Sequence, residues 1–329
     1  MIFEEEAGSG FPPFQAHFLV RGGFWQTVLG SRGGDLFESP PMRCHKLKIN
    51  SKASLMIFEY PAKNNELPVV IMAHGMGGCS ESNYMKRIGA YLHKKGYGVF
   101  LMNHRGSGLG MGLCDSLWNG GSSNDLSAVV NLVLKVHPNH PVIIIGFSLS
   151  GNILLKYFGE NRSIPPYVIK GLAVNPPVDL RTSSHLLSNK GYNRFFNRYY
   201  MKMIHNQAKA LMECYPDAFH PPLDAESIWE FDEAYTAPVA GYRDVEEYYY
   251  RCSANRILAE IKQPVTILYS SNDPFIPSDV FKEYPSSEYV ELVGTSDGGH
   301  MGYISRHCSK YSDRRWMDHF ILHWVERGK

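Results

Sequence analysis

PVIIIGFSLSGNILLKYFGEN, residues 141 to 161, decides the fold. Its first half is a short apolar run rich in β-branched side chains, as in a buried strand, and its second half carries the spacing of a helix. Ser148 falls at the turn between them, within Gly146-Phe147-Ser148-Leu149-Ser150. A serine on a sharp strand-to-helix turn presents its hydroxyl at the end of a sheet. The residues two places to either side must be small, or they collide with the strand and the helix. Gly146 and Ser150 meet that need, although glycine is the usual residue where Ser150 stands. Ser150 is a rival nucleophile, but an apex there puts Asn152 at the crowded position, so Ser148 is the predicted nucleophile. A serine that merely caps a helix is the competing explanation. Only further parts of a reaction site decide between the two.

Strand and helix signals alternate on both sides of this stretch. Strands are expected at 69–73, 98–102, 142–146, 168–175, 265–270 and 289–293, and helices at 82–94, 124–136, from Leu149 onward, and at 312–327. Upstream, 44–49 and 53–60 fit an antiparallel pair at the sheet edge. The rhythm predicts an α/β fold with a mostly parallel central sheet flanked by helices. Between Pro176 and Pro264 it stops, replaced by segments such as FFNRYYMKMI, SIWEFDEAY and DVEEYYYRC. We therefore expect a core of residues 44–176 and 264–329, a helical cap insertion at 177–263, and an N-terminal extension, 1–43, packed on the core. Extra surface helices without a part in the chemistry are the plainer reading of the insertion.

Composition sets the class of partner. The 329 residues are 44% apolar and 20% charged, enough for a large core. Lys plus Arg, 33, balances Asp plus Glu, 32, and no basic run interleaved with aromatics follows, so nucleic acid is not an expected partner. Six cysteines without a CxxC pair signal neither a zinc ribbon nor a disulfide framework, and a cytoplasmic location is the simpler expectation. The acidic start MIFEEEAGSG lacks the features of a secretory signal, and no apolar run approaches a membrane span. A soluble protein without stable membrane insertion is expected.

The remaining machinery lies at the ends of other expected strands. His74-Gly75-Met76-Gly77-Gly78 follows VVIMA. Such a glycine-rich turn brings backbone close to a ligand, and the Met76 and Leu149 N–H groups are the expected oxyanion donors. Asn103-His104-Arg105-Gly106-Ser107-Gly108 follows the next strand and is assigned to scaffolding. His104 precedes the nucleophile, opposite to the Ser, acid, His chain order of this arrangement. Asp273, in the loop SNDPFIP, is the natural acid. Asp179 is its rival, whereas Asp297 sits too close to the expected base. His300, in GTSDGGHMGY, lies after the last strand and before the last helix, which sets it above His307, His319 and His323. His319 and His323 share a helix face but lack a third ligand, so no metal is called for. The aromatic residues Phe195, Phe196, Tyr199, Tyr200 and Trp229 are candidates for an apolar acyl pocket or for simple core.

Together, HGMGG, NHRGSG, GFSLSGN, NDPFIP and GGHMGY resemble the YheT-like α/β-hydrolases, which include bacterial esterases, plant embryogenesis-associated proteins and mammalian lipid-acting hydrolases. The likeness runs from about Phe11 to the last helix and includes GGFWQTV, similar to the Gln-Thr segment of that family. It implies an α/β-hydrolase fold, a Ser148, Asp273, His300 triad, favoured over one using Asp179, and cleavage of carboxylic esters with short or medium acyl chains. The sequence departs from the family at Ser150 and in lacking the membrane anchor of the mammalian members, which argues against a bound membrane enzyme. The expected partner is a small-molecule ester, and neither metal nor organic cofactor is required. Two further readings share these residues. Acyl transfer to an alcohol or amine uses the same acyl-enzyme and separates by product analysis with competing acceptors. A receptor on this fold predicts a missing or misplaced triad member. Dehalogenase and epoxide-hydrolase chemistry wants an aspartate where Ser148 stands.

Overall fold

A computed structural model describes residues 13–32, 40–189, 191–309 and 313–327. The acidic first residues and Phe11, where the family likeness begins, lie outside these, as does Ser312, the expected start of the closing helix.

Eight strands form one sheet in the order β1-β2-β4-β3-β5-β6-β7-β8. They are β1 (Arg43–Lys48), β2 (Ser54–Tyr60), β3 (Val69–Ala73), β4 (Gly98–Met102), β5 (Val142–Phe147), β6 (Val168–Val174), β7 (Val265–Ser270) and β8 (Val290–Thr295). The first two pair antiparallel at one edge, and β3 through β8 run parallel. Every residue of β3, β4 and β5 is buried, as strands covered on both faces must be.

Alternation along the strands feeds two cores. Val69, Ile71 and Ala73 of β3 point to the side covered by α3 (Ser123–Val136) and α4 (Leu149–Gly159). Val70 and Met72 point to the side covered by α2 (Asn83–Lys94) and by the last helix, α10 (Trp316–Glu326). A buried ion pair joins those two helices: the Arg87 guanidinium donates to both carboxylate oxygens of Asp318, one of them through Nη2 at 3.1 Å. The closing helix starts at Trp316, because residues 313–315 run extended beside 304–305, with the Ser305 N–H donating to the Arg314 carbonyl and an isolated bridge between Ile304 and Arg315.

Helix α1 (Gly23–Gly30) precedes the sheet. Between β6 and β7 the chain forms α5 (Leu180–Asn189), α6 (Asn193–Cys214), α7 (Ile228–Phe231), a π-type turn at Asp232–Thr236, α8 (Ala237–Val239) and α9 (Val245–Cys252). Phe196, Ile204, Leu211 and Phe231 of these helices join the core on the α3/α4 side. Each such buried side chain contributes roughly 1.5–3 kcal/mol relative to exposure. Tyr248, Tyr249 and Leu180 build a smaller cluster of their own. Among the described residues no helix is long and apolar enough to cross a membrane, and all six cysteines are free thiols.

Candidate active site

Ser148 sits at φ 51°, ψ −120°, a left-handed backbone that a non-glycine residue holds only when its surroundings force it. The force is visible locally. Its N–H donates to the Val174 carbonyl at 2.8 Å, and a Cβ at Gly146 would meet the Ser150 carbonyl oxygen at 2.3 Å. The small-residue rule read from the sequence is thus a steric fact of this turn. Helix α4 begins at the next residue, so its dipole and free N–H groups point at the serine hydroxyl.

The structure brings Ser148, His300 and Asp273 together from the ends of β5, β8 and β7. His300 Nε2 lies 2.9 Å from Ser148 Oγ, and His300 Nδ1 lies 2.8 Å from Asp273 Oδ2. The Asp273 and His300 side chains are almost wholly buried. Asp273 Oδ1 accepts the Phe275 and Ile276 N–H groups at 3.1 and 3.2 Å, so the carboxylate is fixed on both oxygens. The Phe275 ring packs 4.3 Å from the imidazole and holds its plane.

Two anchors of this chain of groups were given no role by the sequence reading. Asn175, one residue past β6 and at φ 45°, donates through Nδ2 to Asp273 Oδ2 at 2.9 Å and to the Gly299 carbonyl at 3.2 Å. Its Oδ1 accepts from Tyr303 at 2.9 Å. The available signal was a lone amide at a strand's carboxyl end, directly before Pro176-Pro177. The other anchor is α1: Thr27 Oγ1 accepts the His300 N–H at 2.8 Å, and Gln26 bonds both N–H and carbonyl of Ile304. Close approach makes glycine obligatory there, since a Cβ at Gly302 would meet the Gln26 carbonyl oxygen at 2.1 Å. The Gln-Thr segment therefore clamps the histidine loop.

Met76 occupies a tight turn closed by Gly78 N–H to the Gly75 carbonyl at 3.0 Å, with Gly77 at φ 70° as a type II turn demands. Among the described residues the Met76 and Leu149 N–H groups have no acceptor, and both residues line a cavity with Ser148. Ser150 is more than a small neighbour. Its hydroxyl donates to the His74 carbonyl at 2.5 Å, so it accepts from His104 Nε2, 2.7 Å away. The His104 N–H in turn donates to His74 Nε2 at 3.3 Å, which leaves the His74 Nδ1 proton for the Gly75 carbonyl at 2.8 Å. Both rings are thereby neutral. Burial pulls His74 down to about 4 and His104 well below its ordinary value. Arg105 forks onto Asp125 at 2.7 Å through two nitrogens, a contact that ties the NHRGSG turn to α3.

The rival residues have other work. Asp179 accepts from the Thr182 N–H and hydroxyl, both at 3.0 Å, capping α5. Asp297 bonds Asn272 and the Gly22 N–H. His307 faces Gln15, and His319 pairs with Asp313 at 2.9 Å. Among the described residues no three His, Cys, Asp or Glu side chains are grouped to hold a metal ion.

Two cavities meet at Ser148. A narrow one of about 100 Å³ runs under α5, α7 and α9 and is lined by Leu149, Leu187, Ile204 and Phe231. A wider one of about 620 Å³ includes His300, Met301, Phe195 and Tyr199. Tyr200 borders both cavities, whereas Phe195, Phe196 and Tyr199 border only the wider one and Trp229 neither; Trp229 packs on Tyr249 at 5.3 Å.

A parallel sheet with a strained serine at a strand-to-helix turn, beside a buried histidine and aspartate, marks the hydrolase class of α/β folds. Residues 68–306 match the family described as alpha/beta hydrolase fold, and the chain belongs to that family. Within it the chain is YheT-like: it is 27% identical over 272 residues to the putative esterase YheT of Escherichia coli, covering 81% of this chain and 79% of that one. The monoacylglycerol lipase of Saccharomyces cerevisiae is 29% identical over 259 residues, 76% of this chain and 57% of the yeast protein. The chain thus spans little more than half the length of that relative. The Pyrococcus furiosus esterase Pf2001 shares the fold, with a TM-score of 0.53 at 16% identity over 87% of this chain and 90% of its own.

Proposed function

We propose that this chain is a serine hydrolase that cleaves carboxylic esters through an acyl-enzyme on Ser148. The observation that carries the reading is the unbroken line from Asp273 Oδ2 through the His300 ring to Ser148 Oγ, 2.8 and 2.9 Å. In it, His300 Nε2 takes the Ser148 proton as the hydroxyl attacks the ester carbonyl, and Asp273 stabilises the imidazolium. The Met76 and Leu149 N–H groups hold the oxyanion. His300 then gives the proton to the departing alcohol oxygen, and water, activated by the same ring, releases the acid.

That proton transfer assigns the two cavities. The leaving alcohol must lie against His300, which lines the wide cavity and not the narrow one. The acyl chain therefore occupies the narrow cavity, whose mainly apolar lining suits a hydrocarbon chain. Segment 177–263 acts as the cap that roofs this acyl site, and the free thiols suit a reducing compartment such as the cytoplasm. The test is Ser148→Ala: fluorophosphonate labelling vanishes and ester turnover falls at least about a thousandfold. Retention of either overturns the assignment.

A further inference from the structure

We propose that the narrow cavity is a subsite for acyl chains bearing a hydroxyl, which hydrogen-bonds to Asp232 on the cap side. The inference rests on the ester-hydrolase reading above and adds the substrate class. The cavity's walls are mainly aliphatic and aromatic, yet Asp232, Tyr249 and Ser184 line it together. Asp232 opens the π-type turn between α7 and α8, an irregularity that re-aims a side chain relative to a regular helix. Its Oδ2 accepts from the Tyr249 hydroxyl at 2.9 Å. That hydroxyl has only one proton, so at 2.8 Å it accepts from Ser184 Oγ. The three groups form a relay aimed at the carboxyl.

Such a group is costly where it stands. Among the described residues no Lys, Arg or His forms an ion pair with Asp232, and burial raises it to about 6 despite the hydrogen bonds from Thr236 and Tyr249. An apolar residue of similar size fits a hydrophobic wall without that cost. A ligand hydroxyl answers both protonation states: it donates to the carboxylate and accepts from the neutral acid. An ammonium group would bring a second ion into the same apolar space and pay its own desolvation. Met76, Ser148 and Leu149 form the reacting end of the cavity, and Asp232, Ser184 and Tyr249 come from the cap elements. The hydroxyl therefore lies along the chain or at its tip, away from the carbonyl.

The bond between Asp232 and Tyr249 also ties the π-type turn to α9, so losing it weakens the cap for every substrate alike. A ratio of two substrates on one protein cancels that effect. The experiment compares 4-nitrophenyl esters of ω-hydroxyacyl chains with their unsubstituted partners, over a series of acyl lengths from short to long, on wild type, Asp232→Asn and Asp232→Leu. The wild type should prefer the hydroxylated ester by about tenfold in kcat/KM at one length. Asp232→Asn, which keeps the shape, should cut that preference at least threefold, and Asp232→Leu should reverse it. A wild-type ratio of one or below at every length overturns the subsite, as does a ratio unchanged in both variants, or a stronger preference for ω-aminoacyl esters. If wild type turns over plain esters and Ser148→Ala does not, such a result overturns the subsite alone. If wild type turns over no ester, the ester-hydrolase reading falls and the subsite with it.

Discussion

The Ser150 hydroxyl accepts a hydrogen bond from His104 Nε2 at 2.7 Å while donating to the His74 carbonyl at 2.5 Å. It therefore joins α4 to the turn carrying Met76 and to the NHRGSG turn. Ser150→Gly restores the commoner residue at this position but strands the buried His104 N–H, whose ring already has an unpartnered Nδ1. A buried donor left alone costs about 1–3 kcal/mol. We expect lower stability in urea denaturation and a several-fold drop in kcat with little change in KM, as the turn carrying Met76 loosens.

Asn175→Ala removes the donor to Asp273 and adds strain, because φ 45° suits asparagine and not alanine. Ester turnover should fall about ten- to a hundredfold. Asn175→Gly relieves the strain but not the lost bond, so it should recover thermal stability without recovering kcat. Equal recovery of both would show that the amide's role is conformational.

Thr27→Val keeps the volume of the side chain and removes the acceptor of the His300 N–H. A loss of about 1–2 kcal/mol in positioning predicts a five- to thirtyfold lower kcat. Labelling of Ser148 by a fluorophosphonate should slow in parallel, since both report on the same imidazole.

His74 is buried neutral at about 4, below its unfolded value. The unfolded chain binds a proton near pH 6.5 and the folded chain does not, so stability present above pH 6.5 is lost as pH falls toward 4, by up to about 3 kcal/mol. Asp232, raised to about 6, acts oppositely: the folded chain binds its proton first, so stability is lost as pH rises from about 4 to 6. Asp232 thus opposes His74 in wild type, whereas buried His104, also lowered, adds to it. Asp232→Asn removes one side, and its stability should fall more steeply than that of wild type between pH 6.5 and 4 in urea titrations at each pH.

The sequence by itself determined the α/β fold and the positions of its parts. Continuous apolar strands such as Val142–Phe147 have no other use than a sheet covered on both faces, and glycines such as Gly146 sit where contact distances forbid a side chain. The sequence favoured Asp273 but left Asp179 open as a rival, and the tertiary structure sets Asp273 against His300 and Asp179 at the start of α5. Only the tertiary structure decided the work of Asn175, Thr27 and Ser150 and the acidic wall at Asp232. Their hydrogen bonds cross 46 to 273 residues of chain, or depend on an irregular turn between α7 and α8, and neither leaves a period or a spacing in the sequence.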